Sequence, residues 1–358
     1  MADLESGYNI IERIGTGARS TIFKVVDPKT GETFALKRVI REPHEDTRFL
    51  EQACTEHDIA SQTSHTYLRK SYEIKKIRRM LRLTEVQVVM EYVQGVSIEQ
   101  HRPTEMTEIV AIFLKVAEGL DSLHKIGYLH TDLKPNNILV CLDGSIKIID
   151  FGQGCLIGTR KPRIQGTPDY IAPEQVHRKP LTQRTDIFNL GATLYWVLTG
   201  RAYPTLISKT SPARSLNLVA APRGVPSPQE LNDKVPAPLS RLVMESCQER
   251  PQDRPRDMKL VINRLEAVHH LLNRGQRDDK KGPPDEKPGN DKAEDHEPHI
   301  DDETSYAGID LSGFGVVGDD DSTLLSAADE AFDPDRDAHK DHKAARKNPD
   351  KSKIRRTT

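Results

Sequence analysis

The chain has 358 residues with near-balanced charge, 54 acidic against 52 basic, and 36% hydrophobic content. Its longest apolar run, around 190–198, falls well short of the roughly 20 residues a membrane span requires, and the N-terminus shows no charged-then-apolar leader pattern. Four widely spaced cysteines, Cys54, Cys141, Cys155 and Cys247, form no C-x-x-C pair, which argues against a structural zinc site or a disulfide framework and sets the expectation of a soluble, cytoplasmic protein.

The balanced total hides an asymmetry. From Arg277 onward there are 22 acidic and 14 basic residues, a net of −8, whereas the preceding part carries +6. Globular alternation of apolar and polar segments also stops near Gly275. Two regions are therefore expected, a folded one over 8–275 and a charged, mostly disordered tail over 276–358, whose composition buries too little apolar surface to order itself.

In chain order, 8–14 reads as a strand running into Gly15-Thr-Gly17-Ala-Arg-Ser20, and 21–26 leaves as a second strand. Gly15 and Gly17 would let a hairpin tip approach phosphates closely, although a plain turn is the commoner meaning of such a sequence. A dinucleotide-binding turn would instead lead into a helix, and Thr21-Ile-Phe-Lys-Val-Val is β-branched and alternating. The next strand, 33–40, puts Ala35 and Lys37 on one face. A helix is predicted over 47–62, with Glu51 and Glu56 both candidates to meet Lys37, and two strands over 72–77 and 85–90 follow. Glu91-Tyr-Val93-Gln-Gly95 would connect to a second lobe, which opens with an amphipathic helix over 107–125.

The loop Leu129-His-Thr-Asp132-Leu-Lys134-Pro-Asn-Asn137-Ile-Leu139 gathers an acid, a cation and an amide between apolar runs. Beyond it, Ser145-Ile-Lys-Ile-Ile-Asp150-Phe-Gly152 ends a short buried strand on a carboxylate. That placement is costly unless a metal ion or cation lies opposite.

Together these stretches resemble the eukaryotic-type (Hanks-type) serine/threonine protein kinases over roughly 8–273. Gly15 to Ile22 resembles the glycine-rich loop, Phe34-Ala35-Leu36-Lys37 the V-A-I-K strand, and His130 to Asn137 the catalytic loop. Asp150-Phe-Gly152 is similar to the D-F-G motif and Ala172-Pro-Glu174 to A-P-E, while Asp186 and Arg254 look like the acid and arginine that brace the larger lobe.

The resemblance implies an α+β bilobal fold, a small antiparallel sheet with one helix (8–93, including the hinge) and a larger, mainly helical lobe (94–275). It also implies transfer of the γ-phosphoryl group of ATP to Ser or Thr hydroxyls of a protein substrate, with Mg as metal. On that pattern Lys37 holds phosphates and is oriented by Glu56, Asp132 is the base, and Lys134 neutralises moving charge. Asn137 and Asp150 would ligate magnesium. Ile14, Gly15, Gly17, Ile22, Ala35, Met90, Glu91, Val93 and Leu139 would surround the nucleotide, and Thr167 would shape the acceptor site.

Three positions depart from the pattern. Ser20 takes the third glycine position, Ser97 stands where many relatives carry an acid for the ribose, and Thr131 replaces the arginine that usually precedes the catalytic aspartate. That arginine pairs with a phosphorylated loop in members that need one, so loop phosphorylation is expected not to be obligatory here.

Competing readings are a pseudokinase or scaffold on the same fold and a small-molecule phosphotransferase. In the tail, 306–317 and 323–332 are apolar islands, candidates to dock on the folded part or on a partner. The basic 343–356 stretch is a weak nucleic-acid signal in an acid-rich setting, and the histidines at 296, 299, 339 and 342 are too scattered for a metal site.

Overall fold

The computed structural model describes residues 7–17, 19–42, 47–207 and 224–280, with side chains to residue 274. The tail islands at 306–317 and 323–332, the basic stretch and the tail histidines lie outside the described residues. The described residues fall into two units, the first holding all of them but Thr16 and Gly17, which belong to the second. The architecture below belongs to the first, apart from Thr16 at the end of the first strand.

Five strands form the first sheet: β1 (Asn9–Thr16), β2 (Ser20–Val26), β3 (Thr33–Ile40), β4 (Ser71–Arg79) and β5 (Arg82–Glu91), in the order β1-β2-β3-β5-β4. β3 pairs antiparallel with both β2 and β5, and β4 with β5. The two-residue period of β3 sends Ala35, Lys37 and Val39 to one side and Phe34 and Leu36 to the other. Helix α1 (Arg48–Ala60) covers the first side, packing Leu50 and Ala53 on Val39, Val86 and Val88. On the other, Val25, Leu36 and Val89 pack with Tyr8, Phe23 and Phe34. Lys37 therefore leaves the sheet on the face covered by α1.

The second half is built on α2 (Met106–Lys125), whose apolar stripe of Ile109, Ile112, Phe113, Val116, Leu120 and Leu123 is buried. This stripe joins one large core with α4 (Gln183–Thr199), α6 (Ala237–Ser246) and α7 (Met258–Lys280). Short helices α3 (Pro173–Val176) and α5 (Pro228–Leu231) complete this lobe. At Gly191 of α4 a Cβ would lie 2.6 Å from Ser246 Cβ, so close passage of α4 by α6 requires glycine there. The last helix runs through Gly275 to Lys280, beyond the compositional break, because Gln276, Arg277 and Lys280 are adequate helix formers.

Two small sheets frame the loop at 129–139. β6 (Gly95–Ser97), β8 (Ile138–Cys141) and β9 (Ile146–Ile148) form one, ordered β6-β8-β9, and β7 (Tyr128–Leu129) pairs with β10 (Cys155–Leu156) in the other. The loop at 130–137 is thus clamped between β7 and β8. No described helix is long and apolar enough to cross a membrane.

Candidate active site

Lys37 Nζ lies 2.7 Å from Glu56 Oε2, and Glu56 is 1% exposed. Helical phase decides which carboxylate on α1 faces the sheet. Glu56 does, while Glu51 is exposed and accepts from the Thr47 hydroxyl on the helix's own first turn. The other oxygen of Glu56 accepts from Arg69 Nη2 at 2.5 Å. Burial opposes charge on Lys37, but Glu56 and then Asp150 overcome it and raise its pKa above the ordinary lysine value.

The 129–139 loop is shaped from α4. Asp186, fully buried, accepts from His130 N at 2.9 Å and Thr131 N at 2.8 Å, and His124 Nε2 faces it at 2.8 Å. These donors hold its carboxyl below the usual range against the opposing cost of burial. They also fix Thr131 in the left-handed region at φ +61°, costly for a β-branched residue. The turn that results presents Asp132. Its Oδ1 accepts from both Thr167 N and Thr167 Oγ1 at 2.8 Å. Lys134 Nζ sits 3.6 Å from Asp132 Oδ2 and donates to Thr167 Oγ1 at 3.0 Å. Asp132 raises the pKa of this lysine, with burial opposing.

Asn137 Nδ2 donates to the Asp132 carbonyl at 2.9 Å, and the Asn137 carbonyl accepts from Ile149 N at 2.9 Å. That bond sets Asn137 beside the turn into Asp150, another left-handed residue at φ +66°. Asp150 Oδ1 is 4.0 Å from Lys37 Nζ, and its side chain is 40% exposed to the cleft. Desolvation works against its charge, yet Lys37, then Lys134, Arg69 and His130 hold the carboxyl down at about 2. The described residues contain no group of three or more His, Cys, Asp or Glu fit to hold a metal ion. A carboxylate and an amide oxygen do suit magnesium, which keeps several waters and takes substrate phosphates as its other ligands.

The segment 153–174 is pinned at both ends. The Gln153 carbonyl accepts from Thr131 Oγ1 at 2.7 Å and also from Lys161 Nζ. Burial lowers the pKa of Lys161, with Cys155 and Asp132 acting the other way. Gln175 Nε2 donates to the Thr131 and Gln165 carbonyls. Glu174 receives a two-pronged pair from Arg254, Nη1 to Oε1 and Nη2 to Oε2, both 2.8 Å.

The remaining sequence candidates lie on strands of two of the sheets, apart from Val93 and Gly17. Ala35 pairs with Met90, both buried, and Ile22 pairs with Lys37. Leu139 pairs with Ser97, which is buried and shares a hydrogen bond with Gln100 Oε1 instead of reaching the cleft as an acid would. Glu91 ends β5 and binds Lys147 at 2.7 Å and Lys70 N at 3.1 Å, with Val93 two residues beyond. Ile14 and Gly15 lie in β1, Gly15 close against Ile22. Gly17 is exposed and belongs to the second unit.

Sequence reasoning missed Arg69, Gln153, Lys161 and Gln175. Three of them act on backbone carbonyls or through their own carbonyl, which leaves no trace in residue spacing, and Leu68-Arg69-Lys70 reads as an ordinary basic surface run.

The first unit thus combines a five-stranded sheet with one helix, a helical lobe, a lysine–glutamate pair, a buttressed aspartate and a second, cation-flanked aspartate. The family model for the protein kinase domain matches residues 8–265, and the chain belongs to that family. It is 27% identical over 276 residues to a probable serine/threonine-protein kinase of Clostridium acetobutylicum, covering 74% of this chain and 40% of the relative. It is 28% identical over 289 residues to serine/threonine-protein kinase A of Synechocystis sp., covering 74% and 54%. Serine/threonine-protein kinase PknL of Mycobacterium tuberculosis is 29% identical over 277 residues, covering 75% and 67%. The chain thus spans about half the length of the curated relatives it matches.

Proposed function

We infer that this protein is an ATP- and magnesium-dependent kinase that phosphorylates serine or threonine hydroxyls of protein substrates. The observation that carries the reading is Asp132, whose Oδ1 is held by two bonds from Thr167 with Lys134 alongside, in the same cleft as the Lys37–Glu56 pair and Asp150. The catalytic domain is read as 8–275 and the tail as 276–358. Four free cysteines support a reducing, cytoplasmic setting.

In this reading Asp132 takes the acceptor's proton as the new P–O bond forms and the bond to the β-phosphate breaks. Thr167 aims one oxygen of Asp132 and leaves the other toward the incoming hydroxyl. Lys134 balances charge on the moving group, which needs positioning and neutralisation more than covalent help. Lys37, aimed by Glu56, holds the α- and β-phosphates. Asp150 and the Asn137 amide oxygen would hold magnesium, which would supply charge neutralisation to the phosphoryl transfer. Ala35, Ile22 and Leu139 would sandwich the base, with Met90 behind it and the Glu91 and Val93 backbone on its edge. Ile14 and Gly15 would cover the phosphates.

The test is magnesium-dependent ATP turnover with a generic protein substrate beside Asp132→Asn. The variant is expected to be about 10² to 10⁴ slower, and equal signal from both proteins would remove the enzyme assignment.

A further inference from the structure

We propose that Arg69 is a positioning residue for phosphate binding, a fixed second cation that holds Glu56 in place while Lys37, still paired with Glu56, shares its ammonium with the nucleotide phosphates. The inference rests on the kinase reading above and adds to it a part that the family pattern does not assign.

The geometry is a three-membered row. Glu56 divides its oxygens, Oε2 to Lys37 at 2.7 Å and Oε1 to Arg69 at 2.5 Å. Both partners of Lys37 are carboxylates, Glu56 at 2.7 Å and Asp150 at 4.0 Å, so its ammonium is already shared. A lysine that engages phosphates has less to give Glu56, which is buried and cannot recover the loss from water. An unpaired buried carboxylate is costly, and the helix bearing it would rotate to reach solvent. Arg69 removes that cost, because its own bond to Glu56 does not depend on what Lys37 is doing.

Arg69 is also mounted rigidly. Its backbone N–H donates to the Ile148 carbonyl at 3.0 Å, and Ile148 N donates to Tyr67 O at 2.8 Å, a parallel bridge centred on fully buried Leu68. Ile148 ends β9, two residues before Asp150. Arg69 thus ties α1 to the strand that delivers Asp150. Its planar fork and permanent charge suit a buried carboxylate better than a second lysine would.

The experiment is a double-mutant cycle on Arg69→Met and Glu56→Gln, reading Kd for a fluorescent ATP analogue with magnesium, and KM for ATP and kcat separately. Arg69→Met is expected to weaken nucleotide binding and kcat/KM for ATP by about 10- to 100-fold, with KM for the protein substrate unchanged. In the Glu56→Gln background the same change is expected to cost less than about threefold, because the partner it serves is gone. Arg69→Lys should recover most of the binding, and Arg69→Gln carries the cycle if Arg69→Met does not fold. Additive losses, or nucleotide affinity unchanged in folded Arg69→Met or Arg69→Gln, would overturn the proposal. A wild-type protein that binds nucleotide but turns over no faster than Asp132→Asn would overturn the kinase reading, while the binding arm would still decide the role of Arg69.

Discussion

Replacing Arg254 by methionine removes a guanidinium whose side chain is wholly buried. It donates twice to Glu174 and once each to the carbonyls of Gln248, Arg184 and Glu249, and it lies 4.9 Å over the Phe188 ring. After the change Glu174, itself 4% exposed, keeps the Thr185 hydroxyl as a donor to Oε1. Breaking a buried pair by deleting one member costs about 3–5 kcal/mol, because the survivor's charge is left uncompensated. Against a total of about 5–15 kcal/mol for a domain this is a large fraction. At about 2–4 °C per kcal/mol the melting temperature should fall by about 6–20 °C. Thermal melts followed by circular dichroism measure it directly. The paired variant Arg254→Met with Glu174→Leu should melt higher than Arg254→Met alone, since it strands no charge. A single variant within about 2 °C of wild type would refute the assignment of this pair as the brace of the 153–174 segment.

Thr159 is the only hydroxyl residue between Gln153 and Gly166, and the segment is already tied down by the Thr131 and Lys161 bonds to the Gln153 carbonyl. Unphosphorylated protein should therefore turn over without a lag, and Thr159→Ala should keep activity within about threefold, where a single surface hydroxyl is worth little. Loss of activity in a folded Thr159→Ala would show that phosphorylation is required. For Asp150 the folded-state pKa is depressed to about 2, so its contribution to stability is complete above its unfolded value and is lost as pH falls toward 2. The melting-temperature difference between wild type and Asp150→Asn should stay constant from pH 8 to 5 and change only below about pH 4. A difference that already moves between pH 7 and 5 would contradict the cation cluster drawn around this carboxylate.

Where a strand is buried on both sides the sequence marks it fully, and 33–40 was readable to its ends. The hairpin after it was not. Reading 72–77 and 85–90 misses the outer pairs of Ser71–Arg79 and Arg82–Glu91, because Arg78, Arg79 and Arg82 carry no apolar signal while the backbone ladder continues through them. Its turn, Met80 and Leu81 at φ 47° and 69°, is made of two residues that almost never announce a left-handed turn. In the cleft, the motif residues could be named from order and type alone. Arg69 could not, since its partner is a carboxylate 13 positions away whose availability follows from the parallel bridge at Leu68.

The two hydrogen bonds that His130 N and Thr131 N donate to Asp186 have a consequence for how such a protein can diverge. The handedness of the turn before Asp132 is imposed from α4, through main-chain groups, so the side chain at 131 is not needed to shape the loop. That position becomes a free variable. A lineage can place there an arginine or, as here, a hydroxyl that closes on Gln153, and the carboxylate at 132 stays where it is. Adjacent residues thus answer to different parts of the molecule.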